Sequence, residues 1–159
     1  MKLKKPLLLL ASFAVTFVAA FVGSIFTINK VNTWYSLLIK PVFNPPAWVF
    51  SPAWTILYIL MAIALYLVWR KGIEKKEVRI AVRIFLVQLV LNALWSIVFF
   101  GMESPLGALM VIFFLWFMIL YTINRFAKVD KLASYLLYPY LAWVSFASVL
   151  NYAVWYLNN

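Results

Sequence analysis

Charge in this chain is confined to short stretches, and five nearly uncharged runs separate them, at about residues 6–28, 46–69, 80–100, 106–126 and 132–157. A helix crosses a bilayer in roughly 20 apolar residues, so each run is long enough to span one. Only 11% of the 159 residues are charged and 67% are hydrophobic. A soluble domain is about a quarter charged and about half apolar, so this chain cannot cover itself with a polar surface. Its solvent is lipid. With no water at membrane depth, the backbone must satisfy itself, and runs of this length do so as α-helices. The expected fold is therefore an all-α integral membrane protein: one transmembrane domain, 1–159, built as a five-helix bundle. Between the first two helices lies a long loop, about residues 29–46, that carries Pro41, Pro45 and Pro46. Proline opens helices and ends those before it, which places the second start near Pro46. Pro52 and Pro139 are expected to disturb the second and fifth helices.

The net charge of +10 would suggest a nucleic-acid partner in a soluble protein. Here the basic residues fall between the apolar runs, so they set topology instead, and no nucleic acid is expected. Lys2, Lys4 and Lys5, then Arg70, Lys71, Lys75, Lys76, Arg79 and Arg83, then Arg125, Lys128 and Lys131 all belong to one side. The other side has only Lys30 and Lys40. Twelve against two is a strong positive-inside bias, which puts the N-terminus in the cytoplasm and the C-terminus opposite. The first run, with its lysines and with Ala19 and Ala20, also resembles a signal peptide. It is longer than a signal core and reads as a retained helix. Its Ser12, Thr16, Ala20 and Ser24 recur every four residues, a small-residue stripe suited to close helix packing.

The residue inventory excludes much chemistry. There is no Cys and no His, so thiolate nucleophiles, imidazole bases and the usual zinc sites are absent. The four acids, Glu74, Glu77, Glu103 and Asp130, lie in the connections. No ionisable group is expected at the depth where pumps and coupled transporters keep theirs. A conventional enzyme is not expected, and neither a metal nor a required cofactor is implied. What remains at depth is polar but uncharged. Gln88, Asn92 and Ser96 share a face of the third helix beside Trp95, while Trp143, Ala147 and Asn151 form a second four-residue series. A bare amide in lipid costs several kcal/mol, ~2–7 by transfer, so each must find a partner. Two readings stay open: the amides lock helix to helix, or they line an aromatic pocket for a flat apolar ligand, with Trp54 and Trp143 as stacking surfaces.

Several stretches resemble a known family. Trp34-Tyr35, Leu38, Lys40-Pro41, Pro45-Pro46, Trp48, Trp54, Leu57-Tyr58 and Met61 are similar to the signature of the tryptophan-rich sensory protein/translocator protein family, the peripheral-type benzodiazepine receptors. Gln88-Leu89, Leu91-Asn92, Trp95-Ser96 and Phe99-Phe100 match its third helix. Pro139-Tyr140, Trp143, Phe146-Ala147 and Leu150-Asn151 match its fifth. The match runs in register over nearly the whole chain.

The resemblance implies a five-helix bundle, often a homodimer in the lipid, that binds protoporphyrin IX and related apolar small molecules beneath the first loop. By motif, the ligand-binding residues are Tyr35, Pro45, Trp54, Tyr58, Asn92, Trp95, Trp143, Ala147 and Leu150. Trp54 and Trp143 correspond to the tryptophans tied to light-dependent porphyrin breakdown in some members. Binding or sensing is the leading function that the resemblance implies. A tetrapyrrole or lipid transporter and a photo-oxidative activity are the alternatives. The fifth-helix sterol pattern of some members is incomplete here, because no Lys or Arg follows Tyr152. A tetrapyrrole would not imply iron either, since without His or Cys axial ligation falls to Met or Tyr.

Overall fold

The computed structural model describes residues 5–159, so Lys2 and Lys4 of the basic tail lie outside it. Among the described residues five helical stretches are long and apolar enough to cross a membrane: Lys5–Val31, Ala47–Trp69, Lys76–Gly101, Pro105–Ala127 and Lys131–Leu157. In chain order the elements are α1 (Lys5–Val31), a single turn α2 (Trp34–Leu37), α3 (Ala47–Trp69) and α4 (Lys76–Ser96). A π-helical turn, Ile97–Gly101, extends α4, and α5 (Pro105–Ala127), α6 (Lys131–Tyr135) and α7 (Tyr138–Leu157) follow. The chain is an integral membrane protein of five spans, with α2 standing in the long connection between the first two.

Local chemistry sets the boundaries. Pro46 precedes the first residue of α3, and the helix then runs through Pro52 without a break. Ser104 caps α5 by accepting from the Gly107 N–H at 3.2 Å, with Pro105 at the first helical position, where its missing donor costs nothing. Asp130 caps α6 in the same way, accepting from the Ala133 N–H at 3.2 Å. The fifth span divides at Leu136 and Leu137, and Pro139 occupies the first turn of α7. The sequence places a bend at Pro139, and the break falls just before it. Proline has no N–H to offer the carbonyl four residues back, here that of Tyr135, and its ring clashes with it, so the disruption lands upstream of the ring.

Ser12 and Thr16 are fully buried, so the first half of the small-residue stripe packs inside the bundle. Their hydroxyls donate to the carbonyls four residues back, each at 2.8 Å, and enter the interior already satisfied. Gly23 extends the close approach: a Cβ there would lie 3.1 Å from the Ser96 Oγ of α4.

The two ends of the bundle are tied separately. At one end Lys71 pairs with Asp130 at 3.2 Å, joining the two basic connections. At the other, Lys30 at the end of α1 pairs with Glu103. There too the Asn158 side chain accepts from the Ile39 N–H and donates to the Ile39 carbonyl, both at 2.9 Å. The long first loop is thus fastened to the C-terminal end of α7.

Candidate functional site

Helix α3 packs on α1, α4 and α6, while α7 packs chiefly on α5. The backbones of α3 and α7 stay apart, and α6 bridges them by packing on both α3 and α5. An apolar cleft of about 470 Å³ opens along this gap. Ala53, Ile56 and Leu57 of α3 form one wall, and Pro139, Ala142 and Trp143 of α7 form the other. Ile56 is 58% exposed, so the cleft opens sideways toward hydrocarbon.

Trp143 of the α7 wall meets Trp54 of α3 behind the cleft. The Trp54 and Trp143 rings lie 6.4 Å apart, nearly perpendicular at 84°. Trp54 also contacts Tyr58 (5.7 Å) and Tyr140 (6.3 Å), while Trp143 contacts Phe50 (6.0 Å) and Phe146 (5.8 Å). Phe43 of the long loop reaches Phe146 at 6.4 Å, so the loop closes the aromatic cluster from above. Such separations are those at which edge and offset ring contacts are favourable.

Below the tryptophans lies a polar relay with every member occupied. Tyr58 donates to Asn92 Oδ1, Asn92 Nδ2 donates to the Tyr140 hydroxyl at 2.8 Å, and Tyr140 donates to Gln88 Oε1 at 3.0 Å. Gln88 Nε2 ends the relay on the Met61 sulfur at 4.0 Å, a long contact. All five residues are buried, and they come from α3, α4 and α7. A third amide does similar work higher up: Asn151 accepts from the Trp95 indole at 3.0 Å and donates to the Pro105 carbonyl at 2.8 Å. For Gln88, Asn92 and Asn151, the reading as interhelical locks holds.

One polar atom is left over. Among the described residues the Trp143 Nε1 is buried and has no hydrogen-bond partner. An unpaired buried donor costs about 1–3 kcal/mol, so its position in the wall of a cleft is informative.

The structure sorts seven of the nine sequence-derived residues into two joined groups. Trp54, Tyr58, Trp143 and Ala147 belong to the main core beside the cleft. Tyr35 and Leu150 belong to a second cluster with Phe99 and Phe100, under the long loop. Trp95 packs on both. Tyr35 donates to Asn44 Oδ1 at 3.0 Å, and Asn44 in turn donates to the Pro45 carbonyl at 3.1 Å, which orders the loop around half-buried Pro45. Asn92 faces the relay, with both its amide oxygen and its amide nitrogen committed there. Sequence reasoning missed Tyr140, the centre of the relay, and Asn44, Phe43, Phe50 and Asn158. Tyr140 sits in the quoted Pro139-Tyr140 pair and could have been found as the fifth-helix partner for the two amides.

A model of the TspO/MBR family matches residues 12–157. The chain belongs to the TspO/MBR family. It is similar to the tryptophan-rich protein TspO of Chlorobaculum tepidum, 47% identical over 155 residues that cover 98% of each chain. It is also similar to the translocator protein of Homo sapiens, 39% identical over 141 residues, covering 87% of this chain and 83% of the relative. With the tryptophan-rich sensory protein of Cereibacter sphaeroides it shares 39% identity over 129 residues, 81% of this chain and 79% of that one. In this TspO/MBR chain the cleft reaches the early turns of α7, and the paired tryptophans connect it through Phe146 and Phe43 to the long loop above.

Proposed function

We propose that this protein is a membrane-embedded binding and sensory protein for protoporphyrin IX and related flat, apolar ligands, seated between α3 and α7 beneath the long loop. The observation that carries the reading is the apolar cleft walled by Trp143, whose buried indole N–H has no partner and whose ring packs on Trp54 and further aromatic neighbours. A conjugated ring with acceptor atoms on its rim would meet both needs, stacking on the indoles and receiving the idle donor. The cleft volume of about 470 Å³ falls within the usual range for small-molecule sites, roughly 300–1,000 Å³. Its lateral opening suits a ligand that partitions into the bilayer first. The name of the Cereibacter relative, a sensory protein, is in keeping with this role.

Charge placement supports an N-terminus in the cytoplasm, with Lys71–Asp130 at that face and Lys30–Glu103 opposite. A homodimer belongs to the same proposal, made through lipid-facing helix surface. Titration of protoporphyrin IX into the purified protein tests the binding role. Saturable quenching of tryptophan fluorescence is expected, at least ten-fold weaker in affinity in the Trp54→Ala/Trp143→Ala protein. Absence of saturable quenching in the unaltered protein, or equal affinity in the double variant, would overturn it.

A further inference from the structure

A second groove, of about 490 Å³, lies on another side of α7, against α5. Leu109, Ile112, Phe113, Trp116 and Phe117 of α5 line it, with Ser145 and Ser148 of α7. Its polar atoms are already engaged. The Trp116 indole donates to Ser145 Oγ at 2.8 Å, Ser145 donates to the Leu141 carbonyl at 2.8 Å, and Ser148 donates to the Val144 carbonyl at 2.7 Å. The wall therefore offers hydrocarbon and no free donor. It suits an alkyl chain.

Both walls change character toward the basic end of the bundle. On α5, Phe113, Phe117, Tyr121 and Arg125 follow one another at four-residue spacing along one stripe. Phe113 and Phe117 pack at 5.0 Å, and the Arg125 guanidinium lies 4.9 Å over the Tyr121 ring. On α7 the stripe through Ser145 leads seven residues back to Tyr138, which is 50% exposed and stacks on Tyr135. Exposed tyrosines from both walls mark the depth of the lipid headgroups. Lys128 ends α5 one turn beyond Arg125. Among the described residues, Asp130 of this end pairs with Lys71, and neither Arg125 nor Lys128 meets a carboxylate. Tyr121 takes one guanidinium donor, and an arginine carries five. From Phe113 to Arg125 is twelve residues, about 18 Å at 1.5 Å each, close to the roughly 15 Å of one leaflet.

We propose that the α5–α7 groove is a site for an anionic phospholipid of the leaflet at the basic end, with one acyl chain along Phe113, Trp116 and Phe117 and its phosphate on Arg125 and Lys128. A chain threaded along this wall starts from a phosphate at guanidinium depth. Charge complementarity selects an anionic headgroup over a zwitterionic one, because the two cations stand without acids. The proposal is independent of porphyrin binding.

The test uses the full-length protein in nanodiscs that contain phosphatidylglycerol or phosphatidylcholine with brominated acyl chains, which quench tryptophan on contact. The Trp116 contribution is the difference between the unaltered protein and Trp116→Phe. Relative association three-fold or more in favour of phosphatidylglycerol is expected, falling to parity in Arg125→Gln/Lys128→Gln and largely restored in Arg125→Lys/Lys128→Arg. Equal quenching by both lipids, or a preference that survives the glutamine double variant, would overturn the assignment. So would a Trp116 untouched by either lipid in a cross-linkable dimer, since a second copy would then fill the groove.

Discussion

Helix α7 presents Trp143 to one cleft and two serines, Ser145 and Ser148, to another, and the two clefts are finished differently. Toward α5, the Trp116 indole from the facing helix is bonded to Ser145 of α7, and the hydrogen-bonding capacity of that groove is closed. Toward α3, the Trp143 indole is buried with its N–H unpaired among the described residues, next to another tryptophan. Both clefts are apolar and similar in size, about 490 and 470 Å³. Size and apolarity therefore do not tell a lipid groove from a ligand site in a membrane protein, where every outer surface is apolar. The unsatisfied donor does. In hydrocarbon no water relieves it, and the proposed ligand would supply the partner.

The largest effect should come from the floor that both arrangements rely on. Asn92 carries the relay between Tyr58 of α3 and Tyr140 of α7, and Asn92→Ala strands the Tyr58 hydroxyl and removes one of the two partners of Tyr140, which keeps its bond to Gln88. A stranded group costs about 1–3 kcal/mol and a lost hydrogen bond about 1, so the expected loss is about 2–4 kcal/mol. Thermal unfolding in detergent checks it. A loss below about 0.5 kcal/mol would mean that the two helices are held together by something other than the relay.

Replacing each indole by phenylalanine sharpens the contrast. Trp143→Phe removes a donor that has no partner, so protein stability should hold or rise slightly while protoporphyrin affinity falls about ten-fold, which is about 1.4 kcal/mol. Trp116→Phe removes a donor that is in use. It should cost about 0.6 kcal/mol, the typical worth of one interhelical hydrogen bond in a membrane protein, and leave porphyrin affinity unchanged. Stability and titration measured on both variants would break the comparison if the two patterns coincided.

Between these effects in size stands α6, the spacer that keeps α3 and α7 apart. Its cap, Asp130, is mostly buried by its surroundings, which alone would raise its pKa. The Ala133 N–H and the neighbouring Lys71 ammonium outweigh that and hold the carboxyl below the usual carboxylate range. A depressed folded-state pKa contributes stability that is complete above the ordinary value near 4 and is lost as pH falls through the lower, folded value. The unfolding temperature should accordingly drop as pH falls below about 4, and Asp130→Asn should flatten part of that slope. At neutral pH, Asp130→Ala should cost about 1 kcal/mol, the usual worth of a helix cap.

Much of this was legible in the residues. Five nearly uncharged runs dictate five spans because lipid allows nothing else, and Pro46 marks a helix start through its own stereochemistry, whereas Pro139, read as a bend within the fifth span, stands in the first turn of a separate α7. The amides at positions 88, 92 and 151 could be recognised as obliged to pair, and they do. Which partner each would take was not legible, because Asn92 meets Tyr140 across 48 residues through a packing geometry that periodicity along one helix does not encode. For the same reason, the sequence could nominate Trp54 and Trp143 as neighbours but could not distinguish the unsatisfied Trp143 indole from the satisfied Trp95 or Trp116. Asn158, whose side chain clamps the Ile39 backbone, carries no pattern at all. Long-range side-chain to backbone bonds of that kind depend only on where two chain segments end up.

The most direct measurement is the indole ¹H–¹⁵N spectrum of the ¹⁵N-tryptophan protein during a protoporphyrin IX titration, with the Trp143 and Trp116 signals assigned from the two phenylalanine variants. The Trp143 indole signal should move saturably as its proton gains an acceptor, while the Trp116 signal, already bonded to Ser145, should stay in place. A Trp143 signal that does not move while ligand demonstrably binds would contradict the assignment of the α3–α7 cleft as the site.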